Sequence, residues 1–155
     1  MGYGSITKCS IANDDLYILD GATKKEYKIK NFLSCIYVKH EHCLIQLQEV
    51  IMQIAGDYTE ELLEYFGKEN TDNHLKYKIL QLFEEYLDIA YDKETNKLIV
   101  YFTPDNKYKG VVPERMWNIN LEHKHWYKYL GRVIDEVVFL VDNIHKAIDS
   151  HNLAR

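Results

Sequence analysis

The segment WYKYLGRVIDEVVFLVDNIHKAI, residues 126–148, decides how the rest of the chain is read. Trp126, Leu130, Val133, Val137, Leu140, Ile144 and Ala147 recur at steps of four and three through a stretch without proline, the spacing of one helix face. Ile134, Val138, Val141 and Ile148 widen that face well beyond a narrow seam, so the expected element is one long helix, roughly residues 121–150, buried at the centre of the core. The stripe also keeps coiled-coil spacing, which makes a structural homodimer through this helix a second expectation.

Working outward, residues 5–11, 16–19 and 26–29 are short β-type runs separated by the turn-forming clusters Asn13-Asp14-Asp15 and Asp20-Gly21, which predicts a small antiparallel meander. From Cys43 the pattern becomes helical. Leu44, Leu47, Val50, Ile51 and Ile54 form one face, with Gly56 as a C-terminal stop. Asp57 and Glu60 then read as a capping box opening a second helix that carries Leu62, Leu63 and Phe66 and stops at Gly67. A third helix, capped by Thr71 or Asp72, buries Leu75, Ile79, Leu82, Phe83, Tyr86 and Leu87. Residues 92–97 are a polar turn before Leu98-Ile99-Val100-Tyr101-Phe102, so a second β-hairpin competes there with helix continuation. Residues 104–113 read as a loop. The predicted class is α+β: a small N-terminal antiparallel β-meander and a possible second hairpin packed with about four helices, the long C-terminal one central, in a single domain.

With 155 residues, 46% of them hydrophobic, the chain is long enough for one sizeable core. No apolar run approaches the roughly 20 residues of a membrane span, and no charged-then-apolar segment opens the chain, so a cytoplasmic location is expected. Cys9, Cys35 and Cys43 show no CxxC spacing and read as small buried hydrophobes rather than a disulfide framework or zinc knuckle. Thirteen tyrosines and a sixteen-to-three excess of Lys over Arg look like the codon bias of an AT-rich genome.

Charge is unevenly placed. Residues 41–92 carry twelve acidic side chains against three basic ones, while both flanks are weakly basic and the total is −5. Within the acidic segment Glu60, Glu61 and Glu64 share an i, i+1, i+4 spacing with Glu84, Glu85 and Asp88. On a helix each triplet falls within an arc of about 100°. The first triplet is expected in the opening turns of its helix, where the macrodipole favours carboxylates; the second is expected near the closing turns, where it disfavours them. A local electrostatic cost without a folding benefit points to function.

The complement of such a face is a basic protein surface, most naturally one that acts on nucleic acid, because carboxylates on a rigid helix imitate a row of phosphates and steer association. Glu84, Glu85, Asp88 and Asp92 form the expected charged centre, Glu60 and Glu64 a second patch, and Tyr86 and Tyr91, with Tyr65 nearby, the aromatic anchors. In general character the chain resembles bacterial immunity proteins that neutralise nuclease toxins, and phage-encoded inhibitors of nucleic-acid enzymes. That resemblance implies a non-catalytic protein without a cofactor, whose partner is a basic protein such as a nuclease toxin.

A second reading rests on histidines. His123 and His125, with Lys124 and Lys128 and interleaved with Trp126, Tyr127 and Tyr129, suit phosphate binding, base stacking or metal-independent RNA cleavage. Lys107, Lys109 and Arg115, with Tyr108 and Trp117, extend the same mixture. On a helix i and i+2 side chains diverge by about 200°, so only an uncoiled first turn brings the two rings together. His40 and His42 present the same spacing, without an obvious third metal ligand. The Arg-to-His spacing of HEPN-type ribonucleases, phosphate-binding glycine loops and a complete calcium loop are all absent.

Overall fold

The computed structural model describes residues 6–38, 41–67 and 73–153. Ser5, His40, Thr71 and Asp72, which carry the expected first strand residue, one histidine and the expected helix caps, lie outside the described residues.

The N-terminal meander forms as β1 (Lys8–Ala12), β2 (Asp15–Leu19) and β3 (Glu26–Ile29), antiparallel in that order. Asn13 and Asp14 take positive φ of 52° and 74°, the two left-handed residues that a tight hairpin matched to strand twist requires. Asp20 closes the second connection: its carboxylate accepts from the Ala22 N–H and the Thr23 hydroxyl, each at 2.9 Å. A short helix the sequence did not signal, α1 (Phe32–Tyr37), follows and buries Phe32 and Ile36.

The two helices expected on either side of Gly56 are one, α2 (His42–Tyr65). Leu47, Ile51, Ile54, Ala55, Tyr58 and Leu62 keep a single buried stripe in phase across the glycine. A helical glycine costs about 1 kcal/mol relative to alanine, less than the roughly 1.5–3 kcal/mol gained by burying one of the large apolar side chains that the unbroken helix carries inward. There is accordingly no capping box at Asp57. The helix stops where glycine does take φ of 69°, at Gly67, whose N–H reaches the Glu64 carbonyl at 2.9 Å.

α3 (Asn73–Tyr86) ends earlier than its apolar pattern suggested, because Leu87 and Asp88 open a strand. The second sheet is a full meander rather than a hairpin: β4 (Leu87–Asp92), β5 (Lys97–Phe102) and β6 (Arg115–Asn120), antiparallel in that order. β6 was unanticipated. Its Trp117 and Ile119 alternate inward between exposed Met116 and Asn118. The loop between β5 and β6 holds one 3-10 turn, Asn106–Tyr108.

The last helix, α4 (Trp126–Leu153), begins five residues later than expected. Residues 121–125 are turns, because Asn120 takes their donors: its side-chain oxygen accepts from the Glu122 N–H at 3.0 Å and its carbonyl from the His123 N–H at 3.1 Å. α4 is central as expected and packs against β1, β6, α2 and α3, with the whole predicted stripe buried. That stripe is therefore occupied by the chain's own sheets and helices. At Gly131 the helix approaches β1 so closely that an added Cβ would lie 2.5 Å from the Thr7 carbonyl oxygen.

Candidate partner-binding cleft

Backbone pairing defines the site. The Thr103 N–H donates to the Tyr86 carbonyl at 2.9 Å, which sets the phase of the β4–β5 ladder. In that phase residues 88, 90 and 92 exchange bonds with β5, and the backbone groups of Leu87, Ile89 and Tyr91 point to the open edge. Two are already capped. The Gln48 side-chain amide donates to the Leu87 carbonyl at 3.2 Å, and the Asp88 carboxylate accepts from the Ile89 N–H at 3.0 Å. The edge is thus covered by α2 at its Leu87 end and opens toward Tyr91.

Beside that open part lies a cleft of about 600 Å³ walled by Ile36 of α1, by Glu41, Leu44, Ile45 and Gln48 at the start of α2, and by residues 88–91 of β4. Ile45 is 53% exposed near the start of α2, and Tyr37 is 50% exposed with its ring edge-on to Tyr91 at 6.4 Å. Glu41 and Asp88 supply the negative charge of the lining and Lys93 its positive charge.

Of the residues the sequence singled out, Asp88 and Tyr91 line this cleft, and Glu84 and Glu85 are exposed on the last turn of α3 just before β4. The helical arc Glu84-Glu85-Asp88 does not exist, since Asp88 belongs to a strand. Tyr86 is not a surface anchor: it is 3% exposed, stacks edge-on against Phe102 and donates its hydroxyl to Asp105 at 3.0 Å. Burial, followed by the bond to Asp105, pushes its phenol well above the usual range. Asp92 shapes the hairpin turn, accepting from the Glu94 N–H at 3.1 Å and the Thr95 hydroxyl at 2.8 Å.

Glu60 and Glu64 sit apart. They occupy the closing turns of α2 rather than the opening turns of a separate helix, so the macrodipole disfavours them, and Glu60 is paired with Lys76 of α3. Twelve residues separate Glu60 from Gln48, about 18 Å along the helix axis. The acidic segment therefore makes two patches at opposite ends of the α2–α3 pair. Tyr65 is exposed and packs edge-on against Phe66 at the Glu64 end.

The residues that sequence reasoning missed are Glu41, Ile45 and Gln48, which gain their role only when α2 is laid beside β4. A second group of carboxylates, Asp20, Asp57, Glu61 and Asp135, surrounds a small cavity next to Tyr58. Three of these have internal partners: Asp20 holds its turn, Asp57 pairs with Lys25 at 3.0 Å, and Asp135 accepts from Thr7. They are structural groups.

The uncoiled turn before α4 places His123, Lys124 and His125 on one open cleft, whereas Lys128 is exposed on the helix itself. Trp117 and Trp126 are core residues. Trp117 donates to Glu136 at 2.7 Å and Trp126 stacks on Phe32 at 6.3 Å. His42 is exposed at the start of α2, and among the described residues no group of three or more His, Cys, Asp and Glu is arranged to hold a metal ion. No described helix is long and apolar enough to cross a membrane.

No protein-family model, curated protein or solved structure matches this chain.

Proposed function

We propose that the protein is a non-catalytic binding protein that neutralises a basic, nucleic-acid-acting protein in the cytoplasm by occluding it, in the manner of an immunity protein. The observation that supports this reading is the meeting of an open strand edge, exposed apolar side chains and carboxylates in the cleft beside β4. A basic extended segment of the partner fits it on three counts. Its backbone can continue the sheet at the Ile89 carbonyl and at Tyr91, its apolar side chains can cover Ile45 and Leu44, and its Lys or Arg side chains can meet Glu41 and Asp88, with Glu84 and Glu85 exposed on the turn of α3 that precedes β4. Carboxylates steer the encounter and the apolar floor holds the complex. No cofactor or turnover is needed.

The test is capture of a protein partner from the native lysate by the wild-type chain, by Glu41→Lys with Asp88→Lys, and by Glu60→Lys with Glu64→Lys. A basic protein retained by the wild type and the second variant, released by salt, and lost from the first variant supports the reading. Equal capture by all three removes the cleft from it.

A further inference from the structure

The turn that delays α4 creates a second cleft, of about 660 Å³, bounded by Lys97 of β5, residues 118–120 of β6, the turn residues His123, Lys124 and His125, and Trp126 and Tyr129 of α4. Its lining charge is opposite in sign to the net charge of the chain. Four of its lining residues are basic types and none is a carboxylate, in a chain of net charge −5. Three other clefts each carry carboxylates: Glu41 and Asp88 beside β4, four around the small cavity near Tyr58, and Asp142 beside His145.

The polar groups are also of kinds that read more than charge. The Leu121 N–H donates to the Asn96 carbonyl at 3.0 Å, which puts residues 115, 117 and 119 in bonded pairs with β5 and turns the backbone of Asn118 and Asn120 toward the outer edge. The Asn120 carbonyl accepts from the His123 N–H and its side-chain oxygen from the Glu122 N–H, so that Asn120 offers the cleft its amide donors, while Asn118 also lines it. Tyr129 is 39% exposed at its rim, a flat apolar surface beside the cations. His125 keeps its ring at the mouth through a 3.3 Å contact between its Nδ1 and the Tyr127 hydroxyl. The start of α4 adds the positive end of a 28-residue helix dipole.

We infer that this cleft binds single-stranded nucleic acid, with Lys97, Lys124 and the two histidines on backbone phosphates, Tyr129 under a base, and Asn118 and Asn120 at its edge. Phosphate charge, an unstacked aromatic face and amide donors and acceptors are matched together by a nucleotide and not by an inorganic anion. The site is independent of the cleft beside β4, because it occupies the opposite edge of the same three-stranded sheet.

The experiment is a titration of the isotope-labelled full chain, followed by amide shifts, with uridine and thymidine hexanucleotides and with inorganic phosphate as the third arm. The expected result is saturable shifts confined to residues 97, 118–126 and 129. The two lysine–phosphate contacts alone predict affinity falling about sevenfold between about 50 and about 200 mM salt. Lys97→Glu with Lys124→Glu, and separately the surface pair Lys124→Glu with Lys128→Glu, are expected to weaken binding at least tenfold while leaving the remaining resonances in place. Tighter binding of the uridine strand assigns the site to RNA, and equal binding assigns it to either strand type. Shifts scattered over the surface, affinity unchanged in both variants, or phosphate binding as tightly as the hexanucleotides would overturn the inference.

Discussion

Thr7 donates both its backbone N–H, at 2.9 Å, and its hydroxyl, at 2.6 Å, to the carboxylate of Asp135, joining positions 128 residues apart. The pair ties the approach to β1 onto the middle of α4. Burial raises the Asp135 carboxyl above its usual range, the two Thr7 bonds pull it back, and nearby Asp20 raises it again. A group raised on folding contributes stability that is present below the ordinary aspartate range, about 4, and is lost as pH rises through the folded value. Urea unfolding from acid to neutral pH is therefore expected to show wild type exceeding Asp135→Asn by most at the acid end. Thr7→Val removes a donor to the carboxylate and should cost about 1–2 kcal/mol at neutral pH, and less once Asp135 is protonated.

Gly131 sits in the same contact, with no room for a methyl group between α4 and the Thr7 carbonyl. Gly131→Ala would ordinarily favour a helix by about 1 kcal/mol. Here it must push α4 from β1, and the expected net result is a loss of about 1–3 kcal/mol, read as a lower denaturant midpoint.

Gly56 predicts the opposite sign. A Cβ there meets Leu80 Cδ1 at 3.8 Å, an ordinary contact, in the interior of a continuous helix. Gly56→Ala should stabilise the protein by about 0.5–1 kcal/mol in the same unfolding experiment. A destabilised variant would mean that the helix breaks at this position after all.

Lys76 relieves Glu60 at an exposed end of the helix pair, far from the β4 cleft. Glu60→Lys should change stability by no more than about 1 kcal/mol, since the interaction is a surface ion pair. Its association rate with a captured partner should fall less than that of Asp88→Lys, which stopped-flow mixing at low salt would resolve.

The elements legible in the sequence are those whose local signals agree, α4 from one uninterrupted stripe and the first sheet from its Asn and Asp turns, whereas residues 92–97 left the β4–β5 hairpin competing with helix continuation. Gly56 carries a local stop signal, but the buried stripe on both sides of it decides that the helix continues. Leu87 fits both the end of a helical stripe and the inward row of a strand, and only pairing with Phe102 separates the two. β6 was hidden because Trp117 reads equally as a base-stacking aromatic or as core. Of the candidate site, Asp88 and Tyr91 could be named from charge and aromatic content. Glu41, Ile45 and Gln48 carry no local signal, because a groove between a helix start and a strand edge is a property of packing.

The contact of α4 with β1 also bears on synthesis at the ribosome. Chains generally fold as they emerge from the N-terminus, at about 5–20 residues per second. The first sheet is complete by residue 29, and α1 and α2 soon pack on β2 and β3, yet the helix that covers β1 begins at residue 126. Cys9, the buried side chain of β1, therefore waits several seconds for its long-range cover, longer than hydrophobic collapse by orders of magnitude. A nascent chain of this topology has to keep the β1 side of its first sheet out of contact with its neighbours until its last fifth has been made.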